Sequence, residues 1–150
     1  MDFVSLEDIV RFAVQREETA YQLYKDAAAK STSIATRKMF EEMAAEEAGH
    51  KTVFSKIDLA VAMQKASSKV PDMKLSDYLV DVPLRPDMPY DEILRYAIKT
   101  EESAFQLYTV AAEMTDDPQL KKTLLVFADV EKGHKKKLEE IYDERVLTEM

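Results

Sequence analysis

The chain contains two histidines, and each stands three residues after a glutamate and directly before a lysine. The two stretches are Glu47-Ala-Gly-His50-Lys51 and Glu131-Lys-Gly-His134-Lys135. Residues three apart share one face of a helix, so each pair presents a carboxylate and an imidazole side by side. A further glutamate precedes each histidine by 33 residues: Glu17 before His50, and Glu101 before His134. Carboxylate and neutral imidazole together are ligands for iron or manganese, and zinc is a third possibility. Cysteine is absent, which excludes thiolate catalysis, disulfides and cysteine-ligated metal.

The elements that must position these groups follow from periodicity. In the last part of the chain Leu120, Leu124, Phe127, Glu131, His134, Leu138 and Ile141 recur at alternating steps of three and four. Such positions form the inward stripe of a helix. Phe40, Met43, Glu47, His50, Phe54 and Ile57 repeat the pattern. Ile9, Ala13, Glu17, Ala20, Tyr24 and Ala27 form a third stripe, and Ile93, Ala97, Glu101, Ala104, Tyr108 and Ala111 a fourth. Four helices therefore point a glutamate into the core, and two of them add a histidine one turn on.

Buried carboxylates with no partner cost several kcal/mol or take up protons. Four glutamates carry four negative charges, and two divalent cations would balance them. One Glu from each of two helices, with Glu-x-x-His from each of the other two, is the ligand set of carboxylate-bridged dimetal bundles. The candidate ligands are Glu17, Glu47, His50, Glu101, Glu131 and His134, with Glu47 and Glu131 as the bridges. A lone Glu-x-x-His in a glutamate-rich helix is ordinarily a solvated face. Duplication alone would reproduce the spacing, but not the charged residues at core positions. Tyr24 and Tyr108 share the stripes and are candidates for hydrogen bonds to the ligand carboxylates, with plain core packing as the alternative. Glu18 and Glu102, one position off the stripe, read as solvent-facing, and Glu46 carries the same ambiguity. Lys135 to Lys137 read as a solvated face, and Met39 and Met43 as core filler.

An internal repeat organises the chain. IVRFAVQREETAYQLYKDAA, from Ile9, aligns without gaps on ILRYAIKTEESAFQLYTVAA, from Ile93, and the same register brings EEAGHK over VEKGHK. Each copy reads as a helical hairpin, the first over 5–57 and the second over 89–145. Ser5 with Asp8 forms an expected capping box, residues 31–33 the turn, and Ile34 the start of the second helix. Pro89 fits a first turn, and Asp117-Pro118 caps and starts the last helix. The segment 58–88 holds three of the five prolines, with Pro89 directly after it, and reads as a crossover, with short helical pieces around 56–66 and 75–79. A helix of about 25 residues is about 37 Å long. A linker of this size can run the length of a bundle. The expected fold is all-α: a single domain over 1–150, a four-helix bundle of two hairpins with a long crossover between helices 2 and 3, the ferritin-like connectivity.

Composition agrees. With 150 residues, 46% hydrophobic and 33% charged, the chain is long enough for one real core. Only two glycines occur, which favours helices. The net charge of -8 argues against a nucleic-acid or anionic-membrane partner. The start MDFVSLEDIV lacks the apolar run of a signal peptide, and IDLAVAM is too short to span a bilayer, so a cytoplasmic location is the default expectation.

The blocks Glu17-Glu-Thr-Ala20-Tyr-Gln-Leu-Tyr24 with Glu47-Ala-Gly-His50, and Glu101-Glu-Ser-Ala104-Phe-Gln-Leu-Tyr108 with Glu131-Lys-Gly-His134, resemble the diiron domain of the rubrerythrin family within the ferritin-like superfamily. The resemblance covers both hairpins. It implies a di-iron centre that reacts with hydrogen peroxide or dioxygen, a role in oxidative stress, and a homodimer. Rubrerythrins proper receive electrons from an iron–sulfur rubredoxin domain; without cysteine, this chain would need a separate electron-donor protein. They also carry an extra metal-binding glutamate one turn after the first in the third helix, where this chain has Ala104. Three functions follow as expectations: a diiron oxidoreductase, an iron-binding or ferroxidase-type storage protein, and a structural bundle with a vestigial site.

Overall fold

The computed structural model describes residues 5–67 and 74–149. Residues 68–73, part of the expected crossover, lie outside the described residues. Helix α1 spans Leu6–Lys30 and opens on the expected capping box: Ser5 accepts from the Asp8 amide while Asp8 accepts from the Ser5 amide. Two of the backbone amides at its start are thereby satisfied. Helix α2 spans Ile34–Ser55, with Ser33 as N-cap. A six-residue α3, Leu59–Gln64, is capped by Asp58, and a 3-10 turn covers Leu75–Tyr78. Helix α4 spans Tyr90–Glu113, with Pro89 as its N-cap residue rather than in its first turn. Helix α5 spans Pro118–Glu149 and runs four residues past the expected end near Arg145. Asp117 caps it through the Gln119 amide. Residues 146–149 contain neither glycine nor proline, so nothing in them stops the helix.

Helix α1 packs along α2, α4 along α5, and α1 against α4. The apolar core divides in two. One half holds Ile9, Val10, Phe54, Leu107, Ala111, Leu120 and Leu124; the other holds Leu23, Ala27, Phe40, Met43, Ile93, Leu94 and Leu138. Each long helix passes from one half to the other. Helices α1 and α5 run in one direction, α2 and α4 in the opposite one. Helices α2 and α4 are therefore parallel, the arrangement that a ferritin-like crossover joins. The chain between them is pinned at α3, where the Asp116 amide donates to the Lys65 carbonyl. It is held again where the Ser103 hydroxyl donates to the Tyr78 carbonyl. Among the described residues no helix is long and apolar enough to cross a membrane.

Candidate metal centre

Between the two apolar halves lies a polar layer. Helix α1 contributes Arg16 and Glu17, α2 Glu47 and His50, α4 Thr100 and Glu101, and α5 Glu131 and His134. All eight are buried, and the four glutamates are 0% exposed. The stripes explain this for the six residues the sequence singled out: a side chain on the inward face at mid-helix has nowhere to go but the bundle axis.

The histidines face the carboxylates through Nδ1. His50 Nδ1 lies 3.3 Å from Glu131 Oε1, 3.6 Å from Glu17 Oε1 and 3.7 Å from Glu47 Oε1. His134 Nδ1 lies 3.4 Å from Glu47 Oε1, 3.6 Å from Glu101 Oε2 and 4.0 Å from Glu131 Oε1. Glu47 and Glu131 thus stand next to both imidazoles, whereas Glu17 and Glu101 each stand next to one. Two overlapping groups result, Glu17/Glu47/His50/Glu131 and Glu47/Glu101/Glu131/His134, each with candidate ligand atoms within 4.8 Å of one another. An ion about 2.1 Å from its ligands keeps neighbouring ligand atoms about 3–3.4 Å apart, only slightly closer than these separations.

The decisive observation is what these atoms lack. Glu17 Oε2, Glu47 Oε1, Glu101 Oε2, Glu131 Oε1 and Nδ1 of both histidines have no hydrogen-bond partner, although all are buried. Native interiors leave few such groups, and a cluster of them needs an account. Convergent ligand atoms left over in a buried layer fit metal ions.

The sequence reading missed one member of the layer. Arg16 is buried among the four glutamates. Its Nη1 donates to Glu47 Oε2 at 2.7 Å and Glu17 Oε1 at 3.1 Å, and its Nη2 to Glu101 Oε1 at 2.6 Å. Nη1 also pairs with Glu131 Oε2. Arg16 lies one position before Glu17, about 100° around the helix, where periodicity places a surface residue. It is buried because α4 packs on that side of α1. The signal in the sequence was its repeat partner, Thr100, which is small and uncharged where Arg16 is long and cationic.

The pKa shifts follow from this crowding. Burial raises the Glu17 carboxyl to about 7, with Arg16 opposing. Burial also drives Glu131 well above the ordinary carboxylate range against the pull of Arg16. Burial would raise Glu47 as well, but Arg16 and His134 hold it below that range. Burial lowers His134, yet Glu101 and Glu47 outweigh it and bring the ring to about 10.

The two tyrosines cross between the repeats. Tyr24 Oη donates to Glu101 Oε1, and Tyr108 Oη to Glu17 Oε1, each at 2.6 Å. Burial, then the nearby carboxylates, raise both phenols well above their usual range, so both stay protonated donors. Glu18 and Glu102 are partly exposed and pair with Lys51 and Lys135, outside the layer. Glu46 reaches further in than its neighbours suggested: its Oε2 lies 3.3 Å from His134 Nε2. Its repeat partner is Val130, so His50 has no matching carboxylate and stacks on Phe127 instead, ring centroids 3.9 Å apart. A cavity of about 100 Å³ between α1, α4 and Tyr78–Val80 borders Arg16 and Thr100.

Fold and site together define a ferritin-like bundle whose carboxylate and histidine cluster can bind metal. The rubrerythrin family model matches residues 4–72 and 92–150, and the chain belongs to that family. Among solved structures, a hypothetical protein from Pyrococcus furiosus is similar at 25% identity and a TM-score of 0.76, over 97% of this chain and 93% of that one. A Thermotoga maritima protein, provisionally named a ferritin-like diiron-carboxylate protein, is similar at 25% identity and a TM-score of 0.74. That match covers 97% of this chain and 99% of the other. No curated protein matches the chain.

Proposed function

We propose that the chain holds two iron ions in its polar layer and reduces hydrogen peroxide or dioxygen with electrons from a separate donor protein. The cluster of buried, unpartnered carboxylate oxygens and imidazole nitrogens is the observation that carries this reading. Glu17 and His50 would serve one ion, Glu101 and His134 the other, and Glu47 and Glu131 would bridge. Iron would supply the electron transfer that side chains cannot.

The chain's own residues do the rest. Tyr24 and Tyr108 fix the orientation of Glu101 and Glu17 by donating to one oxygen of each. Glu46 holds the His134 ring from its outer nitrogen, which leaves Nδ1 facing the carboxylates. The apolar halves exclude water from both ends of the layer. The cavity beside Arg16 and Thr100 is large enough for a molecule the size of peroxide. A homodimer in the cytoplasm belongs to the same reading.

Anaerobic titration should saturate at about two Fe(II) per chain. Stopped-flow mixing with peroxide should then oxidise the iron quickly and stoichiometrically, and added reductant should reset it. Continued uptake of many irons per chain would favour storage instead, and no metal binding would leave only a structural bundle.

A further inference from the structure

The paired oxygens divide cleanly. Arg16 takes Glu17 Oε1, Glu47 Oε2, Glu101 Oε1 and Glu131 Oε2. Glu17 Oε2, Glu47 Oε1, Glu101 Oε2 and Glu131 Oε1 remain unpartnered, together with the two imidazole Nδ1 atoms. One oxygen of every carboxylate is thus held by the guanidinium and the other is left over. The arginine and two metal ions need not compete for the same atoms.

We propose that Arg16 is a permanent counter-cation of the carboxylate cage, a positioning residue that also sets how much metal charge the cage will hold. The proposal rests on the dimetal reading. With all four ionised, as metal binding requires, the carboxylates carry four negative charges, and Arg16, 6% exposed, cancels one of them. Guanidinium does not deprotonate in proteins, and although burial works against the charge, the four carboxylates outweigh it and push the pKa higher. The cage therefore offers three negative charges to the metals. One divalent ion leaves it negative. A second leaves it one unit positive, where a cage without Arg16 would be neutral. Binding is then stepwise: the first ion is favoured and the second is held back by the arginine. The same charge disfavours the trivalent state of either ion, so Arg16 favours the reduced centre.

The repeat makes this specific. The position related to Arg16 is Thr100, also buried, whose hydroxyl has no partner among the described residues. The six candidate ligands obey the repeat and the cation breaks it. Symmetry of fold did not require a charge here, and one copy alone supplies it.

Calorimetric titration with Mn(II) tests the proposal on the metal-free protein, beside variants Arg16→Gln and Arg16→Lys. Wild type should bind a first Mn(II) more tightly than a second. Arg16→Gln should bind the second at least about tenfold more tightly than wild type, a change of the size expected for one charge in a site of low dielectric. Its metal-free melting temperature should fall, because the four crowded carboxylates lose the guanidinium that pairs with all of them. Arg16→Lys keeps the charge and should bind Mn(II) within about threefold of wild type. If Arg16→Gln folds only with Mn(II) present, chelator competition gives the same comparison. Should it not fold at all, Arg16→Lys still decides, since a gain approaching tenfold there overturns the charge argument. Equal or weaker Mn(II) binding by Arg16→Gln overturns it too, and reduces Arg16 to an organiser of ligands. Wild type that binds no Mn(II) or Fe(II) would instead sink the dimetal reading, with the metal-free melts still reporting on Arg16.

Discussion

Replacing Glu47 and Glu131 together by glutamine should abolish stabilisation by metal while leaving the metal-free fold close to its original stability. Both side chains are fully buried and neighbour both imidazoles, so their loss disables both groups at once. Metal that binds only the folded state stabilises by about 2.7 kcal/mol per site at 100 times its dissociation constant. Two ions, each at 100 times its own stepwise dissociation constant, give about 5.4 kcal/mol. For a chain of this size each kcal/mol moves the melting temperature by about 2–4 °C. Wild type should therefore gain about 10–20 °C with Fe(II) or Mn(II) and lose it again with chelator. In the double variant the cage falls from three net negative charges to one. The amide carbonyls can still accept from Arg16, and the shape is kept. Each new amide N–H left unpaired costs about 1–3 kcal/mol, which offsets part of the relief. The metal-free melting temperature should stay within a few degrees of wild type or above it. Thermal melts of both proteins, with metal and with chelator, measure all four values. A double variant that responds to metal as wild type does would refute the reasoning, as would a metal-free form many degrees less stable.

The metal-free protein should lose stability as pH rises from about 5 to about 9. Glu17 at about 7 and the raised Glu131 bind protons in the folded state that the unfolded chain has released, and His134 at about 10 does the same above its ordinary range. The lowered Glu47 acts oppositely, but its contribution disappears only in acid, below the ordinary carboxylate range. Melts across this range that rise with pH would contradict the shifts. Metal affinity should run the other way and tighten with pH, because Glu17 and His134 must release protons to bind; titration in buffers of different ionisation enthalpy counts those protons. Tyr108→Phe removes the hydrogen bond to Glu17 Oε1 and should weaken the ion near His50 about tenfold or more, read by Mn(II) titration. Phe54→Ala opens space beside Tyr108 and Phe127 and should cost about 3–5 kcal/mol in chemical denaturation.

The sequence by itself determined the hairpins and the inward glutamates and histidines. Periodicity is a local property: a residue at mid-stripe on an amphipathic helix must face the core, whatever the partner helices are. The repeat added that the two halves present the same groups, and the capping box at Ser5 marked the start of α1 within a residue. Tertiary structure decided the connections between stripes. Tyr24 lies seven residues beyond Glu17, about 10 Å along the axis, and cannot reach it. The antiparallel packing of α1 on α4 brings it to Glu101 instead, and Tyr108 to Glu17. Glu46 could be assigned to His134 only once α2 and α5 were side by side. Arg16 is the clearest case. One step off the stripe, it reads as a surface charge on an isolated helix. Its burial depends on α4 covering that side of α1, and its four partners come from four helices, an encounter that no pattern along one chain segment encodes.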